Sequence, residues 1–143
     1  MRKFTILFLL INLSFLSCSD DDNIDSNNQL KIEKNNLIGT WTSIETSDHS
    51  GSEFEPFRLI DQDDQYSLTF MSDNSFINTS TSGCDGVYVV EQEDRQLVLN
   101  YEESCNVSPS SSTISSLTSN ELILTRPGGD EPFKIKLKKG LDQ

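Results

Sequence analysis

From Leu37 onward no window of the chain keeps apolar residues at the i, i+3, i+4, i+7 spacing of a helix face; short alternating runs take its place. Alternation with a period of two buries one face of a strand and wets the other, so such a chain finds its core by pairing strands. The runs are 38–46, 65–72, 75–80, 86–92, 96–101, 112–118, 121–126 and 132–139, with a weaker candidate at 57–60, and turn residues separate them. They contain no internal repeat. Eight or nine short strands in about 107 residues predict an all-β domain, and an up-and-down antiparallel barrel suits that count.

Residues that face each other across a hairpin have a constant index sum, so register can be tested by arithmetic. Centring the 92–96 turn between Asp94 and Arg95 gives 189 and sets Tyr88 against Tyr101, Val90 against Leu99 and Gln92 against Leu97. The opposite face then mixes Val87, Val89 and Val98 with Glu91, Asn100 and Glu102. Cys84 and Cys105 share the same sum, which predicts a structural disulfide in an oxidising compartment. The alternatives are two free thiols or a redox pair, and their spacing is unlike Cys-x-x-Cys. Around Pro127-Gly128-Gly129-Asp130 a sum of 257 pairs Leu124 with Phe133 and Leu122 with Ile135. Lys134, Lys136 and Lys138 then project outward, and Lys139 extends a basic stripe that reads as a solvated face discouraging edge pairing, or as a partner-binding strip. At Ser72-Asp73-Asn74-Ser75 the register stays open: centring on Asp73 pairs Phe70 with Phe76, and a shift of half a residue does not.

The chain begins Met1-Arg2-Lys3, and Phe4 to Leu16 is an apolar run of thirteen residues broken only by Thr5, Asn12 and Ser14. As a helix it would span about 20 Å, short of the roughly 30 Å hydrocarbon core, so an export signal fits better than a membrane span. It stops at Phe15-Leu16-Ser17-Cys18, which resembles the lipobox of bacterial lipoproteins. That resemblance implies that Cys18 is acylated and becomes the mature N-terminus; the plainer alternative is an ordinary signal peptide with an incidental cysteine. Ser19-Asp20-Asp21-Asp22 resembles the surface-export signal of Bacteroidetes-type lipoproteins, the alternative being a solvated acidic linker. Residues 19–36 hold only Ile24, Leu30 and Ile32 as large apolar side chains, too few to offset the entropy of ordering. The expected organisation is a signal peptide over 1–17, an acylated, disordered tether over 18–36 and one barrel domain over 37–143. Stretched out, the tether would reach about 60 Å from the lipid.

Several segments of the barrel region look familiar together. Gly39-Thr40-Trp41 is similar to the Gly-x-Trp that opens lipocalins, after a polar tether and at a strand start. Tyr66-Ser67-Leu68-Thr69-Phe70-Met71-Ser72-Asp73-Asn74-Ser75-Phe76 resembles a hairpin of the lipocalin-like domains carried by Bacteroidetes lipoproteins. There Asn74 stands where glycine is commoner, and asparagine tolerates the same left-handed backbone. Gly86-Val87-Tyr88-Val89-Val90 and Leu117-Thr118-Ser119-Asn120-Glu121-Leu122-Ile123-Leu124 are similar to later strands of that family. The resemblance implies an eight-stranded lipocalin-like barrel with Trp41 plugging one end. It also implies a possible site for a small apolar or amphipathic molecule, with Trp41, Phe70, Tyr88, Leu99 and Tyr101 among the lining residues. Eight strands can equally be filled by their own side chains, and the few aromatic residues lean that way.

Charge removes other classes. Eleven basic against 23 acidic side chains give a formal charge of −12, with no basic face for nucleic acid or for anionic lipid. A single histidine, His49, leaves no basis for histidine-rich metal sites or a Ser-His-Asp triad. Glu91/Glu93 and Glu102/Glu103 read as solvated charge. Asp61-Gln62-Asp63-Asp64-Gln65 lacks the glycine and distal glutamate of an EF-hand. The expectation is therefore no cofactor, no metal and no catalytic residue. The chain reads as a monomeric outer-membrane lipoprotein, facing the cell surface or, as second choice, the periplasm, and attached through N-terminal acyl chains. Its barrel would bind a small hydrophobic ligand; the alternative is a non-enzymatic surface module contacting protein or glycan through loops such as 47–64 and 104–113.

Overall fold

In a computed structural model, which describes residues 29–81, 83–128 and 131–140, the alternating runs pair in chain order. The strands are β1 (Gly39–Ser50), β2 (Glu53–Phe54), β3 (Arg58–Leu59), β4 (Ser67–Phe70), β5 (Ser75–Asn78), β6 (Cys84–Glu91), β7 (Gln96–Tyr101), β8 (Ser110–Leu117), β9 (Glu121–Arg126) and β10 (Phe133–Lys139). β1 and β4 to β10 form an antiparallel up-and-down barrel of eight strands, closed by pairing β10 back onto β1 from Trp41↔Lys139 to Asp48↔Phe133. Two-residue β2 and β3 lie in the β1–β4 connection and pair with the upper half of β1, which bends at a bulge between Ser43 and Glu45. The weak 57–60 run is β3; β2 has too short a pattern to be found by alternation.

Each strand turns its apolar set inward. Leu68, Phe70, Phe76, Tyr88, Leu97 and Leu99 are buried, while Val87 and Val89 stay 53% and 47% exposed. Two registers differ from the arithmetic by two residues. Tyr88 pairs with Leu99 and Gly86 with Tyr101, because Arg95 takes a left-handed backbone (φ 55°) that closes the turn early and sends Nε to the Ile114 carbonyl at 2.9 Å. Leu124 pairs with Ile135 and Leu122 with Leu137. There Pro127 and Pro132 have no amide to give the ladder, so pairing ends at Arg126↔Phe133. Phe70 does pair with Phe76; Asn74 (φ 76°) and an Asp73 carboxylate accepting from the Ser75 amide at 2.9 Å build that turn.

Cys84 and Cys105 form a disulfide with Cα atoms 5.8 Å apart. It is not the cross-strand pair the index sum implies. β7 ends at Tyr101, and a 3-10 turn over Glu103–Cys105 folds the second cysteine back over the start of β6.

The expected tether contributes to the fold, which is a correction to both the 18–36 and the 37–143 boundaries. From Gln29 the chain crosses the end of the barrel where β1 begins, here the lower end. Gln29 Nε2 donates to Ser116 Oγ at 2.7 Å and the Leu30 amide to the Leu117 carbonyl at 2.7 Å. Ile32 packs on the core, and a four-residue helix, α1 (Lys34–Leu37), ends on fully buried Leu37. Trp41, also fully buried, donates from Nε1 to the Leu37 carbonyl at 2.6 Å. Lys139 is corrected as well. At an inward position of β10 it folds over the Trp41 ring, 5.1 Å from its centroid, and leaves the basic stripe to Lys134, Lys136 and Lys138.

Two stability tests follow from this packing. A Cβ on Gly86 would meet the Asn100 carbonyl oxygen at 2.2 Å and the Tyr101 Cα at 2.9 Å, both backbone atoms that cannot step aside. Gly86→Ala is expected to destabilise the barrel by about 1–3 kcal/mol in urea unfolding. Cys84→Ser/Cys105→Ser, which reopens a loop of sequence separation 21, should cost about 3 kcal/mol in the same assay.

Candidate functional site

The five residues expected to line a cavity all point inward, and they fill the space. Trp41, Phe70, Tyr88 and Leu99 are 0–3% exposed, and a void wide enough for water would leave accessible surface on its walls. Phe70 meets Tyr88 edge-on with ring centroids 4.9 Å apart, and Phe76 meets Tyr101 at 5.2 Å. The polar ends of both tyrosines are used. Tyr88 Oη donates to the Met71 carbonyl at 3.1 Å, and Tyr101 Oη accepts from Asn78 Nδ2 at 2.8 Å.

Toward the upper end the interior turns polar. Arg126 occupies the inward position after Leu122 and Leu124 on β9, with its guanidinium 5.7 Å from the Tyr66 ring centroid. Tyr66 Oη and Arg126 Nε are buried without a hydrogen-bond partner. Burial pushes the Tyr66 phenol up, opposed by the Arg126 charge and reinforced by Tyr101. A charge at core parity in the run Leu122-Ile123-Leu124-Thr125-Arg126 was the available signal for this pair, and the sequence reading passed over it.

Outside the barrel, the 51–60 segment folds back on β1 and β10. Lys134 Nζ sits 4.0 Å from the Phe54 ring centroid, and Lys136 Nζ is 4.5 Å from that of Phe57 and 2.6 Å from Glu45 Oε2. Arg58 pairs with Asp48, and His49 stands edge-on to Phe54 at 5.0 Å. Lys134 and Lys136 are thus spent within the molecule, whereas Lys138 and most of the 47–64 loop, Leu59 at 80% among them, stay exposed. Asp63 and Asp64 lie in a 3-10 turn, and among the described residues no three His, Cys, Asp or Glu gather closely enough to hold a metal ion.

Two adjoining open grooves lie on the outer face of β5, β6 and β7. β5 stops opposite Val87, whereas β6 continues to Glu91, so its last turn of pairing on that side is the Tyr88 amide donating to the Asn74 carbonyl at 2.9 Å. The mismatch leaves a groove of about 510 Å³ whose walls include Lys34, Asp73, Asn74, Val87, Val89 and Val90. A second groove of about 350 Å³ shares Val87 and adds Met71, Ile77, Asp85, Asn100 and Glu102. Lys34 Nζ is held at the rim by the Ser72 carbonyl at 2.6 Å. The Asp73 carboxyl is held below the usual aspartate range, chiefly by the Ser75 hydroxyl and then by the Ser75 amide.

Cys18, Ser19, Asp20, Asp21 and Asp22, together with the expected signal peptide and most of the expected tether, lie outside the described residues. Among the described residues no helix is long and apolar enough to cross a membrane. No protein-family model matches the chain, and no curated protein matches it.

Asp73 gives this site a pH signature. Its lowered pKa stabilises the fold above the pKa of the unfolded aspartate, about 3.9, and that contribution disappears as pH falls through the lower folded value. Asp73→Ala should melt below wild type at neutral pH, and the gap should close in acid. Thermal melts across that range check the sign, and a carboxyl-carbon titration of wild type should place Asp73 below an ordinary aspartate.

Proposed function

We propose that this chain is a lipid-anchored, non-enzymatic interaction module of the cell envelope, tethered through acylated Cys18 and directed outward by Ser19-Asp20-Asp21-Asp22. It meets a partner with the outer surface of its barrel and stores nothing in the lower interior. The observation that supports this reading is the near-zero exposure of Trp41, Phe70, Tyr88 and Leu99, set against exposed Val87 and Val89 on a grooved outer face. A filled core supplies stability, and Val87 and Val89 give the grooved face apolar surface that a partner would cover. The resemblance to lipocalin-like lipoproteins supports the anchor and the barrel, and leaves the ligand open.

One observation favours a second reading. The Tyr66 hydroxyl and the Arg126 Nε are two buried donors without an acceptor, and the upper end of the barrel could offer them to a small amphipathic molecule bearing a carboxylate.

Native mass spectrometry of protein released from its own host's membrane, with an organic extract of the same sample, separates the two. The proposal expects a polypeptide starting at Cys18, carrying acyl groups, two hydrogens lighter for the disulfide, and with no further mass. A defined organic mass that leaves on extraction would replace the interaction module by the small-molecule reading, and an unmodified Cys18 would remove the anchor.

A further inference from the structure

Along the outward side of β6 the side chains run Asp85, Val87, Val89, Glu91: two exposed valines between two exposed carboxylates. The flanking strands enlarge both features. Val98 lies beside Val89 and Ile77 beside Asp85, so each of the three strands presents an apolar residue on this face, while Ser75 and Asn100 flank Val87. At the upper end the Glu102 amide donates to the Asp85 carbonyl at 3.1 Å, which sets two carboxylates side by side on the same face. Like charges opposed across strands destabilise a sheet unless something cationic covers them. At the lower end Asp73 lines the larger groove, close to where β6 reaches Glu91.

We infer that this face binds an extended, cationic polypeptide segment of a protein partner, with apolar side chains between two basic residues about 20 Å apart. The inference rests on the interaction-module reading and names its partner. The spacing follows from the six residues between Asp85 and Glu91 at about 3.3 Å each. An extended segment fits because the two grooves run in line along the strand and share Val87. It also fits because β6 outlasts β5: by the alternation that turns the Tyr88 amide toward β5, the amide and carbonyl of Val90 face the same side, where the partner strand has ended. Main-chain groups there can bond the lower end of the segment, while the side chains of the rest of it lie over the valines.

Charge selects the partner. An anionic membrane or nucleic acid would be repelled by Asp73, Asp85, Glu91 and Glu102, and Lys34 at the rim is turned to the Ser72 carbonyl. Among the described residues a second copy offers no run of free lysines on β10, since Lys134 and Lys136 already cover Phe54 and Phe57 and leave Lys138 alone.

The probe is a capped heptapeptide, Lys-Thr-Val-Thr-Val-Thr-Lys, whose ammonium groups and valines repeat the spacing of β6. Its control replaces both lysines by glutamate. Amide and methyl spectra of the full mature protein are expected to show saturable shifts at Ile77, Val87, Val89 and Val98 with the lysine peptide. The glutamate peptide should bind at least about tenfold more weakly, the scale of two or more partly screened ion pairs. Asp85→Lys/Glu91→Lys should reverse that order, and recovery of binding by the glutamate peptide would itself show that the variant is folded. Shifts insensitive to peptide charge, shifts confined to another face, or none from either peptide would overturn the inference. If the native mass is still that of bare acylated polypeptide, the interaction module survives that failure; an extractable organic ligand would instead remove the reading beneath it.

Discussion

Closure of β10 onto β1 is the constraint on which everything else depends. Once the ladder runs from Trp41↔Lys139 to Asp48↔Phe133, the barrel has no free edge over that length, and eight strands enclose a fixed, narrow interior. Inward positions must then hold side chains of the right total volume. Trp41, Phe70, Phe76 and a set of leucines supply it, to the point that four of the five presumed cavity residues retain at most 3% exposure. A larger interior would have needed smaller side chains or more strands. That leaves the outer face and the ends as the surfaces another molecule can reach.

Local mismatch opens the outer face. β5 has four residues and β6 has eight, so the two cannot pair over the whole of β6, and the surplus becomes a groove wall. Gly86 belongs to the same geometry. Without a side chain it lets Phe76 and the β7 backbone come close at an inward position, which keeps β5, β6 and β7 tightly stacked beneath exposed Val87. Opposite this, the 51–60 segment buries Ser47 and spends two lysines on aromatic rings, so that side of the barrel wall is covered by a segment that is itself mostly exposed.

The alternation made strand limits and faces legible because it is a property of single strands. Register was not, since a slip of two residues leaves every side chain on its own face; both wrong hairpins slipped by that amount. The cysteine pair was legible for a related reason. Cys84 starts β6 and Cys105 follows β7, so any nearby register brings them close, whichever way the intervening turn compresses. Composition averaged over 18–36 hid the packed strap, because Ile32 and the Leu37 beyond it act at single positions that an average dilutes. The grooves were invisible to a strand-by-strand reading: they arise from a difference in length between neighbours. Arg126 and Lys139 stand at inward parity and were legible in principle; Arg126 was passed over, and Lys139 was assigned to the outward stripe.

The β6 face is rigid for reasons that lie outside it. β6 is paired to β7 from Gly86↔Tyr101 to Glu91↔Gln96, its upper end is tied by the disulfide, and at its lower end the Tyr88 amide is bonded to the Asp73-braced turn. The separation of Asp85 from Glu91 is therefore set by strand rise and not by side-chain choice. Reversing the two charges changes the sign of the face and keeps its spacing. A partner that follows the sign is recognised through charge at a fixed distance, whereas one indifferent to it is held by the valines alone. Rigidity also lowers the entropy that docking on this strip would cost.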